Sequence, residues 1–248
     1  MIIDMHAHLW GRRVDSDAEK MIEASELYGI DKILISPLQS RYSDEAEIEF
    51  LSGEVHRICK KYPQYFLGYE YVNPAHANAL DVLKRGVEER GVIGMKLWVA
   101  TFCDDPRVHP LFEQCIAYNI PILIHSFVKT VGQLEFESTG TQVRNIAQRY
   151  PEAKIIMAHL GANCYHGIKA IRDCKNVSVD FCGSIYRRDD LDYTVKMIGS
   201  DRVLFGTDMP GSFTMSYGQV LEAELSDRQK EDILYHNAVK LFNLGGRL

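Results

Sequence analysis

The first ten residues, MIIDMHAHLW (1–10), join a short apolar run to two histidines spaced two residues apart. Residues 2–5 have the length and composition of a β-strand, and His6 and His8 follow them directly. No Gly-rich phosphate loop of the G-x-G-x-x-G or G-x-x-x-x-G-K-[ST] type follows this run or any later one. The opening segment therefore argues against an open nucleotide-binding sheet and directs attention to the end of the strand.

Short apolar runs of the same kind recur along the rest of the chain. Several are apolar on both faces, as in PILI (121–124), which is typical of parallel strands covered on both sides. The predicted strands are 2–5, 32–36, 65–72, 92–97, 120–124, 154–158, 177–181 and 203–206.

Amphipathic stretches of helical periodicity lie between these runs and after the last one. The predicted helices are 16–28, 43–62, 77–90, 110–118, 141–150, 167–174, 189–198 and 227–242. Strands that alternate with helices imply a parallel sheet, and eight such units favour a closed (β/α)8 TIM barrel over an open sheet. No linker interrupts the pattern, so we expect one α/β domain over residues 1–248.

The composition is that of a globular protein, with 46% apolar and 25% charged residues. The net charge of −6 argues against nucleic-acid and membrane partners and leaves a small-molecule substrate. The six cysteines form no C-x-x-C motif and the N-terminus does not resemble a signal peptide, so we expect a cytoplasmic protein with free thiols. Because barrels with exposed helices often dimerise, a homodimer is a further expectation.

Chemistry-bearing residues stand at the carboxyl ends of five predicted strands, where the active sites of barrels lie. His6 and His8 can both face the barrel mouth, because residues two apart in a strand point the same way. Several imidazoles and a carboxylate aimed at one point suit zinc or a similar divalent metal, with one position left for water. The strand-end residues are His6, His8, Lys96, His125, His159 and Asp208.

Other residues after the strands carry weaker signals. Ser36 and Cys182 end two further runs, and we expect neither to supply a ligand. Trp98, Phe127 and Tyr186 also follow strands and are candidates for the walls of a substrate pocket.

The motifs together resemble the amidohydrolase superfamily, and more narrowly its amidohydrolase-related (amidohydrolase 2) branch of metal-dependent (β/α)8 enzymes. The resemblance extends over nearly the whole chain and is specific for the branch, although it does not identify a substrate. The stretches that carry it are MIIDMHAHLW, YVNPAHANALDVLKRGVEERGVIGMKLW, PILIHSF, IIMAHLGA, VLFGTDMPG and HNAVKLFNL.

This resemblance implies a role for each strand-end residue. His6, His8, His125 and Asp208 match the ligands of the main metal, and Asp208 also matches the residue that takes and returns the proton. His159 matches a residue that polarises the substrate or steers the water in one-metal members and binds the second ion in two-metal members. Lys96 stands where two-metal members carry a carbamylated bridging lysine, and a free ammonium facing the substrate is equally compatible.

The reaction implied by the resemblance is hydrolysis of a small ester, lactone or amide by a metal-activated water, with Zn²⁺ as the expected ion, in one or two copies. Non-oxidative decarboxylation of an aromatic or unsaturated acid is the alternative, since several members of the branch catalyse it. The short segment after His8 and the presence of Lys96 favour hydrolysis. A barrel that binds a metal or metabolite without turnover, and a metal-free hydrolase using Asp208 and His159, remain as less favoured readings.

Overall fold

A computed structural model describes residues 1–208, 210 and 212–246. Its eight strands are all parallel and follow one another in sequence order around a single sheet. The strands are β1 (Ile3–Trp10), β2 (Lys32–Leu38), β3 (Phe66–Tyr71), β4 (Gly94–Leu97), β5 (Ile122–Ile124), β6 (Ile155–Met157), β7 (Val177–Asp180) and β8 (Val203–Leu204).

The sheet closes on itself where the last strand meets the first. The backbone N–H of Met5 donates to the carbonyl of Phe205 at 3.0 Å, and that of Thr207 donates to the carbonyl of His6 at 3.1 Å. These bonds complete the ring, so the predicted single-domain (β/α)8 TIM barrel is confirmed.

Helices connect the strands and cover the outside of the barrel. They are α1 (Val14–Tyr28), α2 (Glu45–Lys61), α3 (Ala79–Glu88), α4 (His109–Tyr118), α5 (Gly140–Arg149), α6 (Cys164–Ile171), α7 (Asp190–Ile198), α8 (Phe213–Glu222), α9 (Asp227–Glu231) and α10 (Asn237–Phe242). A π-helical turn over Asp232–His236 joins α9 to α10, so the predicted helix 227–242 is present with an irregular middle. The sequence pattern did not predict α8.

The strands are apolar on both faces because each face packs against a different part of the core. Leu123 belongs to a cluster inside the barrel that also contains Ile3 and Leu34. Its neighbours Ile122 and Ile124 belong to the larger layer between the sheet and the helices. Alternation along a strand thus distributes apolar side chains to two separate cores. The polar residues of the predicted site lie instead at the carboxyl ends of the strands.

All six cysteines are free, as expected, and five of them are buried. Within the residues described, no helix combines the length and apolarity that crossing a bilayer would require.

Candidate metal centre and active site

Strand β1 brings His6 and His8 to the mouth of the barrel, as predicted. Their Nε2 atoms lie 3.1 Å apart, and both side chains are buried. The pairing of β1 with β2 shifts register between Asp4 and Ala7, immediately where the histidines are presented. The H-x-H spacing therefore delivers two imidazole nitrogens to one point.

Asp208 joins this pair from the segment that follows β8. Its Oδ1 lies 3.2 Å from His8 Nε2 and 3.5 Å from His6 Nε2. Burial alone would raise the pKa of this carboxyl, but the neighbouring imidazoles, led by His159, hold the pKa well below its usual range. Asp208 is therefore a carboxylate at neutral pH, and 20% of its side chain remains exposed to the cavity.

The backbone at Asp208 is held in an unusual conformation. Its φ is 68°, a left-handed value that Asp adopts more readily than most side chains. The adjacent Thr207 is clamped to β1, because its N–H and its hydroxyl both donate to the buried carboxylate of Asp4, at 3.1 and 2.7 Å. This clamp fixes the direction in which the Asp208 side chain leaves the barrel seam.

His159 approaches the same point from a short 3₁₀ turn after β6. Its Nε2 lies 4.0 Å from Asp208 Oδ1, and its ring centroid lies 5.1 Å from that of His6. The φ of His159 is 61°, again in the left-handed region, and strained backbone of this kind persists where the surrounding structure enforces it. His159 thus lines the cluster without being as close to its centre as His6 and His8.

Each of these three imidazoles is anchored through Nδ1. His6 Nδ1 lies 2.8 Å from Asp180 Oδ2, and His159 Nδ1 lies 3.0 Å from the carbonyl oxygen of Cys182. His8 Nδ1 lies 2.8 Å from Ser36 Oγ and 3.2 Å from the Ser36 carbonyl. Because carboxylates and carbonyls only accept hydrogen bonds, Nδ1 donates in each of these contacts. In His6 and His8, whose pKa values are lowered by burial, Nε2 then keeps its lone pair.

The anchoring carboxylate of Asp180 was missed by the sequence analysis. Besides His6 it accepts the backbone N–H of His159 at 2.8 Å. Burial works against its charge, but the contacts with His6 and His159 hold its pKa at about 2. An acidic residue near the carboxyl end of the predicted strand VSVDF (177–181) was the signal that could have identified it.

Ser36 and Cys182 offer no side-chain ligand to the centre that Asp208 shares with the Nε2 atoms. They nevertheless have a part in the arrangement, since each orients an imidazole that does face that centre. Partners of this kind fix the tautomer and the orientation of metal-binding histidines.

The cluster fits a metal ion on the chemistry of its donors. The Nε2 atoms of His6 and His8 and a carboxylate oxygen of Asp208 lie within 4.8 Å of one another. Burial lowers the pKa of both histidines, to about 3 for His6, so both are neutral at pH 7. Three acceptor atoms thus converge where a cation would satisfy them together.

Lys96 lies at the carboxyl end of β4, as predicted, with its Nζ 3.0 Å from His6 Nε2. The side chain is fully buried, and that burial lowers the pKa of its ammonium to about 8. The amine therefore adjoins the donor cluster and remains protonated for the most part at neutral pH.

His125 behaves differently from the other strand-end histidines. Its ring centroid lies 5.1 Å from that of His159, but its Nε2 pairs with Oε1 of Glu137 at 2.9 Å. The structure therefore places His125 beside the cluster without aiming its Nε2 into it. Glu137 lies in the loop between β5 and α5, where no sequence pattern marked it.

A cavity of about 220 Å³ opens directly above the cluster. Trp98 and Phe127 line it as predicted, together with Trp10. Tyr186 instead lines a separate cavity of about 490 Å³ beside α7 and α8. The three aromatic side chains shape a small pocket whose floor carries His8, His159 and Asp208.

A closed parallel barrel with imidazole and carboxylate donors at the carboxyl ends of its strands defines a class of metal-dependent barrel enzymes. The chain belongs to the Amidohydrolase family, whose profile matches residues 3–244. The family and the donor cluster together indicate a divalent metal ion in this centre.

Individual relatives are more distant. A 2-amino-3-carboxymuconate-6-semialdehyde decarboxylase from Dictyostelium discoideum is 22% identical over 238 residues. The alignment covers 79% of this chain and 66% of the relative, so the chain spans just under two thirds of that protein's length.

Solved structures share the fold over nearly the whole chain. A 5-carboxyvanillate decarboxylase from Sphingomonas paucimobilis is 16% identical, with 98% of both chains covered and a TM-score of 0.74. A dihydroxybenzoic acid decarboxylase from Polaromonas, solved with manganese and 2-nitroresorcinol, is 17% identical, with 98% of this chain and 97% of that chain covered and a TM-score of 0.74. The printed names of these three relatives are those of decarboxylases.

Proposed function

We propose that the protein is a metal-dependent non-oxidative decarboxylase of a small aromatic or unsaturated carboxylic acid. The observation that carries this proposal is a compact donor cluster that opens into a small cavity walled by Trp10, Trp98 and Phe127. At about 220 Å³ the cavity lies below the usual range of small-molecule sites, and flat aromatic walls suit a flat substrate. The named activities of the relatives above support the same reaction class.

His6, His8 and Asp208 would hold the metal ion, and His125 and His159 adjoin it as further candidates. The bound ion supplies Lewis-acid chemistry, which orients the substrate carboxylate and its neighbouring oxygen and withdraws negative charge from them. The donor set of two imidazoles and a carboxylate accepts Zn²⁺ or Mn²⁺, and one related structure contains manganese. We propose one ion, held by the Nε2 side of the histidines.

The reaction consumes one proton at the substrate carbon, and Asp208 and Lys96 are the residues that would supply it. When the bond to the carboxylate breaks, its electron pair stays on the substrate carbon, carbon dioxide leaves, and that carbon takes up one proton. Asp208 faces the cavity and is ionised at neutral pH because its pKa is low, so it would pass a proton to the substrate carbon only after it accepts one from a donor of the site. Lys96, with a pKa of about 8, is the buried ammonium beside His6 that can hold a proton for the site.

His159 and the aromatic walls position the substrate. The Nε2 atom of His159 lies at the edge of the cluster, 4.0 Å from Asp208 Oδ1, where it can form a hydrogen bond with a polar group of the substrate. Phe127 lies parallel to the His125 ring, with 5.8 Å between the centroids, and helps to exclude water. Removal of water strengthens the electrostatic interactions on which loss of the carboxylate depends.

Hydrolysis of an ester, lactone or amide is the second candidate, and Lys96 is the observation that favours it. Its Nζ lies 3.0 Å from His6 Nε2, on the strand where two-metal hydrolases of the resembled branch carry their bridging lysine. In that case Asp208 would take a proton from water and return it to the leaving group.

The test is a paired assay on protein reconstituted with Mn²⁺ or with Zn²⁺. Release of carbon dioxide from 2,6-dihydroxybenzoate, 5-carboxyvanillate and related acids is measured beside hydrolysis of aryl esters, lactones and anilides. We expect metal-dependent carbon dioxide release that is absent in Asp208→Asn. Metal-dependent hydrolysis without decarboxylation across the panel would overturn the proposal and establish the second candidate.

A further inference from the structure

The loop between β5 and α5 places a charged pair, Lys129 and Glu137, in the wall of the cavity. Lys129 Nζ donates to both oxygens of the Glu137 carboxylate, each at 2.7 Å. The carboxylate itself is buried, with an exposed residue fraction of 2%. The proposed reaction does not use either side chain.

Glu137 is saturated with hydrogen-bond donors. In addition to Lys129 it is contacted by His125 Nε2 at 2.9 Å, by the amide of Gln133 at 3.0 Å and by the backbone N–H of Leu134 at 3.3 Å. A carboxylate with donors on both oxygens has little capacity for a further ligand. Glu137 therefore orients the side chains that donate to it, and it does not itself bind a ligand.

Lys129 is not saturated. An ammonium carries three N–H donors, and the two contacts with Glu137 leave one of them. The side chain is 29% exposed, and its Nζ lies 5.1 Å from the centroid of the Phe127 ring, against the aromatic wall. The remaining donor is thus available to a molecule in the cavity.

The cavity consequently has two poles. Asp208 and the histidines form one, where a metal ion would bind. Lys129 lies at the other, paired with Glu137, which also lines the cavity, and it is the sole Lys or Arg among the described residues that do so. A substrate with anionic groups at both ends would match the two poles, because an ammonium–carboxylate hydrogen bond is charge-assisted.

We infer that Lys129 binds a second carboxylate of the substrate, and that Glu137 is the positioning residue that holds Lys129 for this contact. The inference rests on the proposed function and specifies its substrate class as a small aromatic or unsaturated dicarboxylic acid. One carboxylate lies at the donor cluster and the other at the Lys129 ammonium. The other reading of the pair is a clamp that only shapes the loop.

Binding of acids from which the protein releases no detectable carbon dioxide separates the two readings. Calorimetry on the Mn²⁺-loaded protein compares benzoate with the three benzene dicarboxylates: phthalate, isophthalate and terephthalate. We expect at least one dicarboxylate to bind about tenfold more tightly than benzoate, as a charge-assisted hydrogen bond would give. In Lys129→Met that preference should disappear while the affinity for benzoate stays unchanged.

Two further variants complete the design. Lys129→Arg keeps the positive charge and should restore part of the preference for the dicarboxylate. Lys196→Met removes an exposed lysine of α7 and serves as the matched control, with both affinities unchanged.

Equal affinity for benzoate and all three dicarboxylates in the wild-type protein would overturn the inference. So would a preference that survives in Lys129→Met, or a parallel loss of both affinities in that variant, which is the signature of a structural clamp. Because the acids are bound and not converted, these results are independent of the carbon dioxide assay. The preference for a dicarboxylate over benzoate can therefore be present or absent whether or not the protein releases carbon dioxide.

Discussion

The two halves of the donor site are built in different ways. His6, His8 and His159 are each fixed at Nδ1 by a group on or directly beside another strand of the barrel, which leaves Nε2 facing the centre. His125 is instead held at Nε2 by Glu137, a residue of the loop that follows β5. One half is therefore set by the barrel, and the other is set by a loop.

This difference suggests that one half is built to bind the metal ion and the other to form the wall of the cavity. Donors fixed from behind by buried groups are preorganised for a metal ion, because their tautomers and ring orientations are determined before it binds. His125 is instead held at Nε2 by the carboxylate of a loop residue that lines the cavity, so its orientation depends on the loop. Loops on a rigid scaffold are also where barrel enzymes differ in specificity.

The largest effect should follow from the carboxylate at the centre of the strand-built half. Asp208→Asn removes the group that carries the proton, and we expect turnover to fall about 10²- to 10⁴-fold or more. The fold should survive, because Asn tolerates the left-handed backbone at this position. Steady-state kinetics beside circular dichroism check this, and an active variant would refute the assignment of Asp208.

Asp180→Asn tests whether the anchors of this half determine metal binding. The variant removes the negative charge, and one of the two acceptor oxygens, that hold the Nδ1–H of His6, so we expect metal affinity to fall about 10- to 100-fold. Metal titration by calorimetry measures the change. The matched control is Asp173→Asn, an exposed aspartate whose loss should leave the affinity unaltered. An unchanged affinity in Asp180→Asn would show that the anchoring does not matter.

Glu137→Gln makes the corresponding change in the loop-built half. Loss of a group that anchors a metal-binding histidine lowers metal affinity by about tenfold or more. Because Glu137 holds His125 from the cavity side, we expect Glu137→Gln to change metal affinity by a smaller factor. The same metal titration serves as the measurement. A loss as large as that of Asp180→Asn would abolish the distinction between the two halves.

The pH dependence of stability gives the finest comparison. In the metal-free protein burial lowers the pKa of His6 to about 3 and that of His125 to about 4, below the ordinary 6.5. The unfolded chain then binds more protons, so the free energy of unfolding falls as pH is lowered from about 6.5 towards these values.

His6→Gln and His125→Gln should each flatten this decline, because each variant removes a buried imidazole whose pKa lies below its ordinary value. Urea denaturation of the metal-free protein at several pH values between 4 and 7 provides the measurement. A decline that stays unchanged in either variant would contradict burial of that imidazole as its cause.

Much of this arrangement could be predicted from local sequence. Apolar runs of strand length specify the barrel, and the rule that its active site lies at the strand ends is sufficient to bring His6, His8, His159, Lys96 and Asp208 together. The spacing of H-x-H determines that both rings face the same side.

The remainder depends on contacts that sequence spacing does not reveal. Asp180 meets His6 from 174 residues away, so the acidic residue in the run 177–181 does not by itself indicate which histidine it contacts. Glu137 reaches His125 through the path of a loop, which carries no periodic pattern. Helix α8 was missed although its Phe213, Ser216 and Val220 are buried, since the stretch after Asp208 lacks a clear amphipathic start.

The clamp between Asp4 and Thr207 joins residues 203 positions apart in the chain. Pairing of the first strand with the last closes a loop that contains nearly the whole chain, and this closure has an entropic cost. The candidate metal centre lies on this seam, with His6 on one side and Asp208 on the other. A metal ion bound there would stabilise the closed barrel. It would add about 2.7 kcal/mol to the free energy of unfolding when the concentration of free metal ion is about 100 times its dissociation constant. Metal binding by this chain then reports that the ring has closed, and a truncated chain without β8 should fail to bind it.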